Sequence, residues 1–190
     1  MMRARIRTAL LGVFLLAGPA AAQTLASPAP AEQQIANAVL PLPQEFRASA
    51  TVMGYGADGK LAELRAGNGP FICLATDPKV ARFHVACYHR ALEPFMARGR
   101  ALRASGVTGD QVDSARFREV RAGTLRMPQQ PSALYSLTGP AVAGARALFV
   151  IYVPNATSAS TGLSAQPAEG TPWIMFPGTP KAHIMLVPKM

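Results

Sequence analysis

The stretch FICLATDPKVARFHVACYHRALEPFMARGRALRAS, Phe71–Ser105, decides how the chain divides between strands and helices. It opens on a short apolar run, Phe71–Ala75, which reads as a strand carrying Cys73. From Ala81 to Ser105 the pattern takes on a helical period. At 100° per residue, His84, Cys87, Tyr88, Ala91, Phe95, Gly99 and Leu102 fall on one broad face, while Arg90, Glu93, Ala97 and Arg100 point elsewhere. Pro94 interrupts this helix, since proline lacks a backbone donor and clashes one turn back; a kink, or two helices meeting near Glu93, is expected. Gly106 suits the C-terminal cap.

Upstream, Thr51–Tyr55 and Leu61–Ala66 read as two strands of a hairpin around Asp58-Gly59, and Gly67-Asn68-Gly69-Pro70 forms another turn. Downstream, Thr108-Gly109-Asp110-Gln111 has the pattern of a capping box that opens a helix to about Ala122. The apolar residues of that helix, Val112, Phe117 and Val120, spread over a wide arc, which suits a surface helix resting on a core edge. Met127–Pro131 breaks the chain, and Ala133–Leu137 and Ala147–Val153 read as strands. The second is apolar throughout and is expected at the centre of the sheet. Asn155–Gly170 reads as a long loop, followed by strands at Thr171–Phe176 and Ala182–Val187. Strands, then helices, then strands predict a single α+β domain, with a mainly antiparallel sheet and two or three helices packed on one side.

The amino terminus carries Arg3, Arg5 and Arg7, the apolar run Ala9–Ala17, and Ala20-Ala21-Ala22. This is the pattern of a secretory signal peptide over residues 1–22, cleaved to leave Gln23. The run is too short to cross a bilayer, which takes about 20 residues. Residues 23–46 are an Ala/Pro-rich lead-in with one helical stretch, Ala31–Leu40, and residues 47–190 form the domain. The chain is thus expected in the periplasm or outside the cell, not spanning a membrane. With 49% hydrophobic and 15% charged residues the composition is globular rather than disordered.

The formal charge of +9 falls when the leader is removed but stays basic. Much of it lies in Arg98, Arg100, Arg103, Arg116, Arg118, Arg121 and Arg126, against Asp110, Asp113 and Glu119. For an exported protein this points to an anionic envelope surface or an acidic protein partner rather than nucleic acid. The plainer reading is a solvated helical face with scattered ion pairs.

Cys73 and Cys87 are the only cysteines, and in an oxidising compartment one intrachain disulfide is the simple inference. A metal site drawing also on His84 and His89 competes with it, but the spacing matches no zinc finger. His84, on the apolar helical face, is expected to be buried, and His89, on the opposite face, to be exposed. His183-Ile184-Met185 puts an imidazole and a thioether on one face of a strand, a pair suited to Cu(I). Met175, Met127, Met53 or Met96 could supply a third ligand; ordinary strand packing is the alternative. HExxH, GxSxG, P-loop and GxGxxG motifs are read as absent, no carboxylate pair stands out, and no cofactor is implied.

The run Leu64-Arg65-Ala66-Gly67-Asn68-Gly69-Pro70-Phe71-Ile72-Cys73, with Asp77-Pro78, Cys87 and the late His183-Ile184-Met185, resembles a group of uncharacterised exported bacterial proteins. They share a glycine-rich turn, a strand cysteine, a second cysteine opening a helix, and a late His-x-Met strand. Lys79 and Arg82 depart from the more acidic, glycine-containing linker of that group. The resemblance implies export and cysteine pairing but brings no activity. The expectation is a small exported binding or interaction module. A hydrolase assembled from distant residues, including His84 or His183, and a copper protein using His183 and Met185 are the alternatives.

Overall fold

The computed structural model of the protein describes residues 27–168 and 170–188. The leader and its cleavage point after Ala22 lie outside the described residues. The hairpin forms where its turn residues place it, with β1 at Thr51–Tyr55 and β2 at Leu61–Arg65. Gly59 takes φ 69°, a left-handed turn position that suits a residue without Cβ. After β2 the chain crosses the start of β1 and returns as β3, Phe71–Leu74, parallel to β1 on its other side. That crossing explains the glycines. A Cβ on Gly67 would lie 2.4 Å from the Ala50 carbonyl carbon and 2.4 Å from the Ser49 oxygen, and one on Gly69 would lie 2.3 Å from Ser49 Oγ. Arg90 clasps the crossing, its guanidinium donating to the Gly67 and Gly69 carbonyls and to Thr51 Oγ1.

The next element corrects the helical reading. Phe83–His89 is a strand, β4, antiparallel to β3. Phe83, Val85 and Cys87 are buried at alternate positions, a period of two that the broader helical face had absorbed. Cys87 therefore lies inside a strand and does not open a helix. Arg90–Leu92 makes a 3-10 turn, and helix α3 runs over Glu93–Ala104. Pro94 falls in its first turn, where the missing donor has no intrahelical acceptor to lose. The proline is the start of the helix rather than a kink within it. Phe95, Gly99 and Leu102, the later part of the proposed face, are its buried residues.

Helix α4, Asp110–Arg121, begins at Gly109 with no side-chain cap, so the expected capping box does not form. Then come β5, Ser132–Gly139, and β6, Arg146–Tyr152. Within the expected loop, Ser158–Thr161 makes a one-turn helix, α5, closed by a capping box between Thr157 and Ser160. Strands β7, Trp173–Met175, and β8, His183–Leu186, end the fold. The sheet order is β2-β1-β3-β4-β5-β6-β8-β7, with β1 and β3 its one parallel pair. β6 is interior but sixth of eight strands rather than central, and Ile151 is 43% exposed, so one of its faces is partly open.

The protein is a single α+β domain with a mainly antiparallel sheet. Its helices, however, divide between the two faces. Helix α1, Ala31–Ala38, arises from the Ala/Pro-rich stretch and packs Ala38 beside Val52, Cys73 and Cys87, joined by Leu42 just before helix α2, Gln44–Arg47. On the opposite face Leu92 and Met96 cover Ile72, Tyr88 and Leu134. The reason is visible in β3, where the consecutive residues Phe71, Ile72 and Cys73 are all buried. A strand buried at adjacent positions needs cover on both sides.

Cys73 and Cys87 face one another across β3 and β4 and form a disulfide with their Cα atoms 4.0 Å apart. The bond closes a segment with a sequence separation of 14. Replacing both cysteines with alanine is expected to destabilise the fold by about 3 kcal/mol, read as a lower denaturant midpoint with a somewhat steeper slope, because the unfolded chain without its cross-link exposes more surface. Gly67→Ala is expected to cost about 1–3 kcal/mol from overpacking at the crossing. Melting of this variant at the wild-type temperature would show that the crossing yields easily.

Candidate functional site

Because α3 stands over the Tyr88 end of β4, the other end of the same face is left open. A cavity of about 520 Å³ forms there, floored by Leu74 and Ala86 and walled by Tyr55, Leu61, Val80 and Arg82. His84, expected to be buried on a helix, is instead exposed on this strand face, at the cavity. Its Nδ1 lies 2.7 Å from Thr138 Oγ1 on the neighbouring strand, and its backbone exchanges hydrogen bonds with the Thr76 hydroxyl. Partial burial of the ring and then the nearby Arg82 charge hold the imidazole below its usual range, so it is neutral at pH 7. Burial, and after it the Asp77 carboxylate, raises the Tyr55 phenol.

The cationic wall has two kinds of arginine. Arg100 is fixed from behind, one guanidinium nitrogen donating to Tyr88 Oη at 2.8 Å and another to Glu93 Oε1 at 2.7 Å. Burial, and after it the Glu93 partner, pushes the Tyr88 phenol far up, so it stays protonated. Arg82 is exposed and has no ion-pair partner among the described residues.

Most of the arginine-rich segment is committed inside the protein. Arg98 makes a forked pair with Glu119, tying α3 to α4. Arg116, placed at the surface by the sequence reading, is 4% exposed; it lies 3.9 Å over the Phe95 ring, donates to the Phe95 carbonyl and pairs with Asp113. Asp113 also accepts from Lys181 Nζ at 2.7 Å. Of the seven arginines of that segment, Arg98, Arg100 and Arg116 are thus spent on internal contacts. Arg103, Arg118, Arg121 and Arg126 remain exposed.

A second cavity, about 340 Å³, continues along the same sheet face and shares His84 and Ala86 with the first. It is lined at its far end by Met175, His183 and Met185. His183 and Met185 therefore do share a face, and Met175 on β7 lies directly opposite His183. Met53, Met96 and Met127 pack against the core under α3, and Met185 packs against the same core where it reaches Val150 and Tyr152; Met175 does not. His183 is 6% exposed, set between Tyr152 and Phe176 with ring centroids 5.1 and 5.7 Å away. Its Nδ1–H donates to the Lys181 carbonyl at 2.7 Å. Burial first, and the Lys181 charge after it, hold it below the usual histidine range despite that bond.

His89 is half-buried rather than exposed. Its Nδ1 accepts from the Ala91 amide at 3.2 Å and its ring stands edge-on to Phe71. It serves the turn into α3. With Cys73 and Cys87 joined and His84 and His89 on opposite faces of β4, the four residues do not converge on a metal. No group of three or more His, Cys, Asp or Glu able to hold a metal occurs among the described residues. Likewise, no described helix is long and apolar enough to cross a membrane.

One of the motifs read as absent is in fact present. Gly54-Tyr55-Gly56-Ala57-Asp58-Gly59 spells GxGxxG, a pattern that binds dinucleotides when it leads from a strand into a helix. Here it joins β1 to β2, so it lacks the helix terminus that would receive a pyrophosphate. The cavity itself had no linear signal, since its walls come from β1, β2, β4, β5, α3 and the β3–β4 loop. No family model, no curated protein and no solved structure matches the chain.

Asp113 links the helical layer to the approach to β8, and its titration should be visible in stability. Burial raises its carboxyl, but the bonds and charges of Lys181 and Arg116 outweigh this and hold it below the ordinary value. Its stabilising contribution is therefore full above the ordinary aspartate range and is lost as pH falls through the lowered value. Asp113→Asn should cost about 2–3 kcal/mol at neutral pH, because it leaves Arg116 buried without its counter-charge. Urea unfolding between pH 7 and pH 2 should show the variant converging on the wild type at the acid end. A constant gap between the two would assign the acid sensitivity to another group.

Proposed function

We propose that this is an exported binding protein for a small amphipathic anion, held in the open cavity beside α3. The observation that carries the reading is the 520 Å³ cavity, with an apolar floor and an unpaired arginine on its rim. Its volume lies within the range usual for small-molecule sites, which combine an apolar lining with a few placed polar groups. An apolar body would rest on Leu61, Leu74 and Ala86, and a carboxylate or sulfonate head would meet Arg82. Arg100 adds positive potential from behind, and His84 and Thr138 offer polar contacts on the floor. The disulfide and the charged, apolar leader support export to an oxidising compartment. Similarity to exported bacterial proteins with the same glycine-rich turn and His-x-Met strand belongs to the same proposal.

The reading can be tested with anilinonaphthalene sulfonate and a medium-chain fatty acid as probes. Both are expected to bind at one site, with Arg82→Glu weakening them at least tenfold and Ala86→Trp, which fills the floor, abolishing the signal. Binding indifferent to both substitutions would remove the cavity from consideration.

The His84–Thr138 pair favours a second reading, a hydrolase with Thr138 as nucleophile and neutral His84 as base. Asp77 lines the same cavity, but no carboxylate hydrogen-bonds to His84 among the described residues, so the usual orienting partner of such a base is missing. Turnover of p-nitrophenyl esters that disappears in both His84→Gln and Thr138→Val would establish this reading over the first.

A further inference from the structure

We propose that Met175, His183 and Met185 form a Cu(I) site at the β7–β8 end of the open sheet face. The three ligands are brought together by strand register rather than by a sequence motif. Met175 and His183 are antiparallel partners, so their side chains leave the same face with Cβ atoms about 5 Å apart. Met185, two residues further along β8, projects from that face about 7 Å away, a span that long, flexible methionine side chains close. All three side chains line one cavity.

The histidine is prepared for ligation in a specific way. Its Nδ1–H is taken by the Lys181 carbonyl, which fixes the tautomer and leaves the Nε2 lone pair free. Metal-bound histidines almost always have their second nitrogen held like this. Among the described residues no hydrogen bond occupies Nε2, and it is not among the buried atoms lacking a partner, so it keeps some accessible surface on a residue that lines the cavity.

The surroundings select the metal. Two thioethers and one neutral imidazole carry no charge, so they suit a soft, monovalent ion and not the hard or divalent ions that call for carboxylates. Lys181 is the nearest cation. Its ammonium is drawn off by Asp113 at 2.7 Å and sits 4.3 Å from the centroid of the Phe176 ring. Phe176 adds an independent sign of use. It holds φ 52°, a left-handed backbone that a bulky side chain adopts at a cost of about 1 kcal/mol or more, and it remains 41% exposed. Strain and exposure together place an aromatic ring against His183, shielding the imidazole from water on one side. Thioether ligands also persist where thiols would be oxidised, consistent with a chain whose two cysteines are already joined.

The test uses the full chain with its disulfide intact, titrated anaerobically with Cu(I) kept reduced by ascorbate, against a chromogenic Cu(I) chelator. One Cu(I) per chain is expected to survive the competition, with sulfur and imidazole scattering in its X-ray absorption spectrum. Met175→Leu combined with Met185→Leu conserves volume and should leave the melting temperature within a few degrees of the wild type. Affinity in this double variant should fall at least a hundredfold. Met53→Leu, on the same sheet face but outside the triangle, should keep the copper. No Cu(I) retained by the wild type, or unchanged affinity in the double leucine variant, would overturn the site. Loss of copper in His84→Gln with retention in the double variant would do so as well, by moving the metal to the other end of the face. Anion binding at the first cavity is read separately by Arg82→Glu, so either proposal can fail without the other.

Discussion

β3 is the strand on which the fold is hung. It lies parallel to β1 on one edge and antiparallel to β4 on the other, and it is buried on both faces. To reach that position the chain must pass over the start of β1 within a few residues. This pass is possible only because Gly67 and Gly69 offer no Cβ to the backbone beneath them. Once β3 is in place, its Cys73 face demands one helical cover and its Ile72 face another. The two helical layers answer that demand, with α1 on the disulfide side and α3 on the other. α3 stands over the Tyr88 end of β4, so it shields only part of its face. The groove is what remains.

Charge is used in the same economical manner. A basic segment that suggests an outward-facing surface turns out to hold α3, α4 and the approach to β8 together. Arg98 reaches Glu119, Arg116 lies on Phe95 against Asp113, and Lys181 completes the chain of contacts. A buried guanidinium is tolerable because its plane stacks on an aromatic ring while its edge meets a carboxylate. The cations left over, Arg82 among them, are the ones with freedom to meet something from outside.

The hairpin, the cysteine pairing, the antiparallel character of the sheet and the strands after Met127 were legible in local patterns. The hairpin and the strands depend on turn residues and short apolar runs, the cysteine pairing on there being two cysteines, and the sheet's character on the order of elements. The misreading at Ala81–Leu92 has a physical source. Cys87, Tyr88 and Ala91 fit a helical face as readily as Val85 and Cys87 fit a strand, and only pairing with Cys73 and Leu137 selects the strand. Pro94 carried the missing signal, since proline is at home in a helix's first turn. His183 and Met185 could be paired from spacing alone, whereas Met175 joined them only through register. The cavity at His84 could not be read at all, because it exists by virtue of where α3 stops.

The disulfide has a consequence beyond the cohesion of β3 and β4. The two strands are stitched together just below the loop that joins them, and that loop supplies Asp77, Val80 and Arg82 to the cavity wall. A tethered loop has fewer conformations to surrender, so for the anion proposed to bind there the covalent stitch would lower the entropic penalty of recognition as well as that of folding.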